Sequence, residues 1–209
     1  KLILLLIKKK MNNYVQIPFI MNVNGFCGSG KSFMIQYLIK SLKSQLDCVM
    51  VFSNTAAFTD DYEFLKSLGI AHYVFSSLDS DEKLKKIMII QKKNRLQDKP
   101  RNVLIIFDDV FGSIKDSKVF KDIVTTFRHY RISIIFSAQY ISAASTYLRE
   151  ISNYVVIFNQ RTMNALKITY DNYFITDFEN FGDFKVAFKN TLQPYHFYFI
   201  DRIKNGKSI

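Results

Sequence analysis

The 209-residue sequence predicts an α/β domain with a mostly parallel central sheet and helices on both faces. Three observations carry that prediction. Apolar runs alternate with segments whose apolar residues return every three or four positions, so strands and helices follow one another. Two of the runs, Val103-Leu104-Ile105-Ile106-Phe107 and Ile132 to Phe136, are apolar almost throughout, as strands covered on both faces must be. A glycine-rich stretch also joins an early strand directly to a helical segment.

In chain order, strands are expected at Phe19 to Asn24, Cys48 to Ser53, His72 to Phe75, Val103 to Asp108, Ser133 to Ala138 and Tyr154 to Asn159. Helices are expected at Lys31 to Leu46, Asp81 to Leu96, Asp116 to Tyr130 and Ser142 to Ile151, where the apolar period is helical. Past Leu166 the pattern loosens into aromatic pieces, Phe184 to Phe188 and Tyr195 to Ile200, which read as edge strands. Residues 11–209 are expected to form one domain. Residues 1–10 precede Met11 and read as a read-through or disordered extension.

Composition narrows the class. A hydrophobic share of 48%, with 20 Phe and 12 Tyr, excludes a disordered chain. Two cysteines, Cys27 and Cys48, cannot build a disulfide framework, and with three histidines they leave little for a structural zinc site, which favours a reducing compartment. The apolar run Leu2 to Ile7 falls far short of the roughly 20 residues that span a bilayer, so no membrane partner is expected. The net charge of +11 suits a polyanionic partner, but it falls to +7 once Lys1, Lys8, Lys9 and Lys10 are set aside.

Gly25-Phe26-Cys27-Gly28-Ser29-Gly30-Lys31-Ser32 fits G-x-x-x-x-G-K-[ST] between a strand and a helix, the context in which such a loop binds phosphates. Its glycines let successive N–H groups point at the phosphates, and the helix opening at Lys31 adds its positive end. Lys31 should reach the β and γ phosphates, and the Ser32 hydroxyl should join the Mg²⁺ shell. Cys27 reads as a variable position of the loop. The strand Val103 to Asp108 ends in Asp108-Asp109. There Asp108 would hold Mg²⁺, while Asp109 would orient or deprotonate the water that attacks the γ-phosphate. A second buried strand ends at Gln139; the order in which the polar-tipped strands appear suits a place for it between the other two, where Gln139 would sense the γ-phosphate or align that water. Arg128, near the end of the preceding helix, could reach a neighbouring subunit's nucleotide as an arginine finger, with Arg131, Arg149 and Arg161 as competitors. His129 reads as structural. Between positions 83 and 101 stand Lys83, Lys85, Lys86, Lys92, Lys93, Arg95, Lys99 and Arg101, a stretch that suits either a DNA-lined channel or a solvated face.

The phosphate loop, the Ile-Phe-Asp-Asp strand and the Arg-His-Tyr…Ser-Ile-Ile-Phe…Gln block together resemble poxvirus-type viral DNA-packaging ATPases of the FtsK/HerA superfamily, over about Ile17 to Gln160. The resemblance implies a RecA-like P-loop NTPase core, ATP and Mg²⁺ as cofactors, and ATP hydrolysis that drives double-stranded DNA into a capsid. It also implies a homo-oligomeric ring, hexamer or pentamer, a capsid component as partner, and action in the cytoplasm of the infected cell, at the virus factory, or on the virion. Gly25 to Ser32, Asp108, Asp109 and Gln139 match the family's motif positions, and Arg128 follows from its spacing to Gln139. Many relatives carry Asp-Glu where this chain, like poxvirus-type members, has Asp108-Asp109, and the shorter acid would reposition the water.

Three rivals compete with this reading. Another FtsK/HerA-type translocase, conjugative or helicase-like, would use the same core. A small-molecule or nucleoside kinase would need an Arg-rich lid and an acceptor pocket, and would leave the strand ending at Gln139 unexplained. A nucleotide-binding subunit without turnover would have no need of Lys31, Ser32, Asp108 and Asp109 together. A GTPase fits less well than the kinase, because the chain has no Asn-Lys-x-Asp or Thr-Lys-x-Asp element.

Overall fold

The computed structural model describes residues 2–5, 14–56, 58–76, 80–110, 114, 116–191 and 194–203. Its strands are β1 (Leu2–Leu5), β2 (Ile20–Asn24), β3 (Cys48–Ser53), β4 (Ala71–Phe75), β5 (Val103–Asp108), β6 (Ile132–Ala138), β7 (Tyr154–Phe158) and β8 (Phe197–Asp201). Its helices are α1 (Lys31–Leu42), α2 (Ser80–Leu96), α3 (Lys118–Thr126), α4 (Thr146–Ile151), α5 (Met163–Thr169) and α6 (Phe181–Thr191).

The eight strands form one sheet in the order β1-β8-β7-β2-β6-β5-β3-β4. Six of them, from β7 to β4, run parallel, while β8 pairs antiparallel with β7 and β1 antiparallel with β8. This is the predicted α/β sheet. Strand β6 lies between β2 and β5, which puts the residues following all three strands at one rim.

Parity along each strand sorts side chains into two layers. Val49, Val51, Leu104, Ile106 and Ile135 pack under Met34, Ile35, Leu38 and Ile39 of α1. Ile105, Phe107, Ile134 and Phe136 face Leu84 and Ile87 of α2 and Phe120 and Ile123 of α3. Because both faces are covered, β5 and β6 are buried at every position, which is why their sequences do not alternate. Phe52, Phe107 and Phe136 stack in register across β3, β5 and β6 with ring centroids 5.3 Å apart in each pair. That ladder stiffens the strand whose last residue is Asp108.

The expected helices shorten where local chemistry intervenes. The segment Ser142 to Ile151 divides into a 3-10 turn, Ile141–Ala143, and α4, because the Ser145 hydroxyl accepts from Leu148 N and starts a new helix. Asp116 to Tyr130 is helical only at Lys118–Thr126, with Ser117 as its cap.

One expectation is overturned. Phe184 to Phe188 is not an edge strand but the middle of α6, where Phe181, Phe184 and Phe188 recur at helical spacing and pack with Tyr170, Phe174 and Tyr198. The other aromatic piece does form a strand, β8, one place in from the sheet edge. Of the expected N-terminal extension, Leu2–Leu5 pair with Phe197–Ile200, and the rest of residues 1–10 lies outside the described residues. No helix among the described residues is long and apolar enough to cross a membrane.

Candidate active site

The loop Gly25 to Ser32 leaves β2 at the rim where β5 and β6 also end. Gly25 N donates to Ala138 O at 3.2 Å, and Asp109 N donates to Ser137 O at 3.0 Å, so the ends of β2 and β5 are both pinned to β6. At Gly25 a Cβ would lie 2.5 Å from Ser29 Oγ and 2.7 Å from Phe158 Cβ, so no side chain fits. Gly30 has φ 106 and caps α1, a conformation that favours glycine. Because no side chain caps α1 and no acid occupies its first turn, its leading N–H groups are open to an anionic ligand. Lys31, 8% exposed, curls back so that Nζ donates to Gly25 O at 2.7 Å and Phe26 O at 3.3 Å.

Asp108 is 9% exposed at the end of β5. Burial pushes its carboxyl above the usual range. The neighbouring Ser137 hydroxyl and the hydrogen bond from the Tyr62 hydroxyl pull the other way, the Asp109 charge adds to the rise, and Lys31 offsets it. The Tyr62 hydroxyl donates to Asp108 Oδ2 at 2.8 Å. Burial, and then the charge of Asp108, push that phenol well above its ordinary value, so Tyr62 is a fixed donor.

Asp109 takes a left-handed backbone, φ 53, which Asp tolerates better than most residues. This turn aims the carboxylate sideways toward β6. Gln139 holds it there at two points, donating from its backbone N to Oδ1 at 3.1 Å and from Nε2 to Oδ2 at 3.0 Å. Gln139 thus acts on Asp109 directly, a coupling that spacing alone did not reveal.

Lys31, Ser32, Asp108, Asp109 and Gln139 line one cleft of about 750 Å³. Its oxygen donors, the Ser32 hydroxyl and the Asp108 carboxylate, are hard ligands of the kind Mg²⁺ takes. Among the described residues no group of three or more His, Cys, Asp or Glu could hold a metal. A cation here would therefore need oxygens from a second molecule, as a nucleotide supplies.

The sequence model of the family described as Poxvirus A32 protein matches residues 7–175. The chain belongs to the poxvirus A32 protein family. Sequence comparison finds no match among curated proteins. Among solved structures, this A32-family chain is similar to the genome packaging NTPase B204 from Sulfolobus turreted icosahedral virus 2 in complex with AMP. The TM-score is 0.64 at 20% identity, covering 93% of this chain and 98% of that one. It is also similar to B204, the DNA-packaging ATPase from Sulfolobus turreted icosahedral virus, with TM-score 0.67, 19% identity and coverages of 91% and 96%. The pCW3 conjugation coupling protein TcpA matches at TM-score 0.55 and 16% identity, over 75% of this chain and 54% of that one. At these identities the shared property is the fold, a RecA-like P-loop core.

In and beside the cleft of the A32-family chain stand two residues that the sequence did not single out, Tyr62 and Tyr195. Tyr62 comes from the segment after β3, 46 residues from Asp108, and carries no motif. Tyr195, with φ 64, leans over the phosphate loop, so that a Cβ on Gly30 would meet its ring at 3.1 Å. Cys27 is an exposed free thiol on the same wall.

The candidate arginines separate widely. Arg161 stacks its guanidinium 3.9 Å from the centroid of Phe26 in the phosphate loop. Arg149 is held within α4, donating to Ala144 O and Thr146 Oγ1. Arg128 and Arg131 instead precede β6, whose seven residues set them about 23 Å from Gln139 along the strand. Neither reaches the cleft of its own subunit.

Proposed function

We infer that this chain is a viral genome-packaging ATPase, a motor that hydrolyses ATP and moves double-stranded DNA into a capsid. The observation that carries the inference is the strand ending at Gln139 inserted between the phosphate-loop strand and the Asp108 strand, with Gln139 clamped to Asp109. Membership in the A32 family and the near-complete coverage of the packaging NTPases point the same way. A conjugative or helicase-like translocase shares the core and is the second reading, supported by the partial likeness to TcpA.

In this reading residues 11–209 are one ATPase domain, and β1 adds no residue to the site. The loop Gly25 to Ser32 binds the triphosphate through the open N–H groups at the start of α1. Lys31 Nζ exchanges the carbonyls of Gly25 and Phe26 for the β and γ phosphate oxygens. Ser32 and Asp108 would hold Mg²⁺, which would supply positive charge against the triphosphate. Asp109 accepts the proton of the attacking water, and Gln139 sets where that carboxylate points. Arg128 works in trans on a neighbouring copy, within a homo-oligomeric ring, hexamer or pentamer. The ring docks on a capsid component and acts in the cytoplasm of the infected cell.

The test is ATP turnover with and without double-stranded DNA, using Lys31→Ala as control. Duplex DNA is expected to stimulate the parent severalfold, whereas Lys31→Ala should neither bind nor hydrolyse ATP in either condition. Turnover indifferent to DNA and raised by a small hydroxyl acceptor would replace the motor with a kinase.

Tyr62 gives a second expectation. Tyr62→Phe removes one hydrogen bond from a buried carboxylate, worth about 1.5 kcal/mol or roughly a tenfold change in an equilibrium. The Mg²⁺ concentration for half-maximal turnover should rise by about that factor, and Mn²⁺ affinity measured by electron paramagnetic resonance should weaken in parallel. If both values stay at the parent's, Tyr62 only packs against β5.

A further inference from the structure

At the rim opposite the nucleotide cleft, the end of α2, the loop 97–102 and the turn 127–131 enclose a cavity of about 250 Å³. Four exposed guanidiniums line it, those of Arg95, Arg101, Arg128 and Arg131, against one carboxylate, Asp98. Among the described residues the ion pairs are Lys66–Glu63, Lys86–Glu82 and Lys167–Asp171, and none of these arginines enters one.

The cavity is built on a fixed scaffold. Gln91, 4% exposed, donates from Nε2 to Arg101 O at 2.7 Å and to Tyr130 O at 2.6 Å, which ties the two basic turns together. Asp98 and Arg131 both take left-handed backbones, φ 51 and φ 50, and for Arg131 that conformation is strained. Strain held in place beside a like-charge cluster is a feature of binding sites more than of solvated faces.

Helix electrostatics do not use up the charge. The carboxyl ends of α2 and α3 each supply about half a negative charge, and Asp98 supplies one, so about two of the four positive charges remain unmatched. Guanidiniums in such a cluster suit phosphate oxygens, which they bind through paired N–H groups.

We propose that this cavity is a phosphate-binding site whose Arg95, Arg101 and Arg131 grip the backbone of duplex DNA, Arg128 being left to the neighbouring subunit's nucleotide. The shared chemistry is phosphate recognition, and a neighbouring subunit's triphosphate is the other source. The surroundings favour an extended polyanion. From the cavity, exposed Lys92 and Lys85 continue along one side of α2, a row that reaches about 15 Å from Arg95 to Lys85. A triphosphate fills one cluster, whereas a duplex presents a charge every 1.7 Å or so along its axis. The proposal rests on the motor reading above and names where that motor holds its track.

The experiment is a binding titration of fluorescent duplex DNA by the full chain over a series of KCl concentrations. Arg128 is left in place. Arg95→Gln/Arg101→Gln should make the log–log salt slope shallower by about 2 and weaken binding in 0.1 M salt by about tenfold to a hundredfold, while DNA-free ATP binding and turnover stay at the parent's values. Asp98→Asn, which keeps a residue tolerant of the left-handed backbone, should tighten DNA binding, a gain that no folding defect would give. An unchanged slope in the double variant overturns the site. So does lost DNA-free turnover with the slope intact, which would assign the cavity to a neighbour's triphosphate. Failure of the unsubstituted chain to bind duplex at any salt would sink the motor reading itself.

Discussion

Asp109→Asn is expected to bind ATP as tightly as the parent and to hydrolyse it about 10² to 10⁴ times more slowly, the range for loss of a positioned general base. Asn is the informative substitution here because it tolerates the left-handed backbone at φ 53, which Ala would strain. The amide also keeps an oxygen that can accept from Gln139 N, although its NH₂ group now faces Gln139 Nε2, donor against donor. The loop of Asp109→Asn should therefore keep its course, and the loss can be read as chemistry. Single-turnover hydrolysis beside nucleotide affinity separates the two effects. Parental turnover in Asp109→Asn would remove Asp109 from the reaction, and lost ATP affinity would move it into binding.

The reading of the sequence reached furthest where function forces residue type and spacing together. Gly25 to Ser32 must curl around phosphates, so its glycines are dictated, and the apolar strand ahead of Asp108 must lie under two helical layers, so it cannot alternate. The place of β6 between β2 and β5 followed from the order in which polar-tipped strands appear. Contacts set by three-dimensional closure were not legible. Tyr62 meets Asp108 only because the chain after β3 folds back over the rim, and nothing around Tyr62 marks it. The bond from Gln139 to Asp109 depends on one φ angle that the sequence does not state. Aromatic density misled the reading at Phe184 to Phe188, because Phe has high strand propensity while the spacing of Phe181, Phe184 and Phe188 is helical. Neighbouring Tyr170, Phe174 and Tyr198 settle that competition by giving the helical face a place to pack.

Arg128→Ala is expected to bind ATP normally yet lose turnover by about 10³ to 10⁵, the range for arginine fingers. The structure makes the prediction sharper, because Arg128 lies in the turn before β6, whose seven residues span about 23 Å on the way to Gln139, and it cannot serve its own nucleotide. An active site served by Arg128 must therefore be shared between two copies. Arginine suits the task, since its planar, always-charged fork can pair with two phosphate oxygens at once. Mixing decides it. Lys31→Ala subunits keep the arginine and lack the loop lysine, and Arg128→Ala subunits keep the lysine and lack the arginine. At an interface where the first presents Arg128 to the second, one complete site returns, so two inactive preparations should regain a fraction of parental turnover. That fraction should peak near equal mixing and vanish at either end. Mass photometry of each variant alone and of the mixture confirms that rings form and exchange. A confirmed mixed ring with no recovery would remove Arg128 from the shared site. It would turn attention to Arg161, whose guanidinium already lies 3.9 Å from the Phe26 ring of its own phosphate loop and would act without a neighbour.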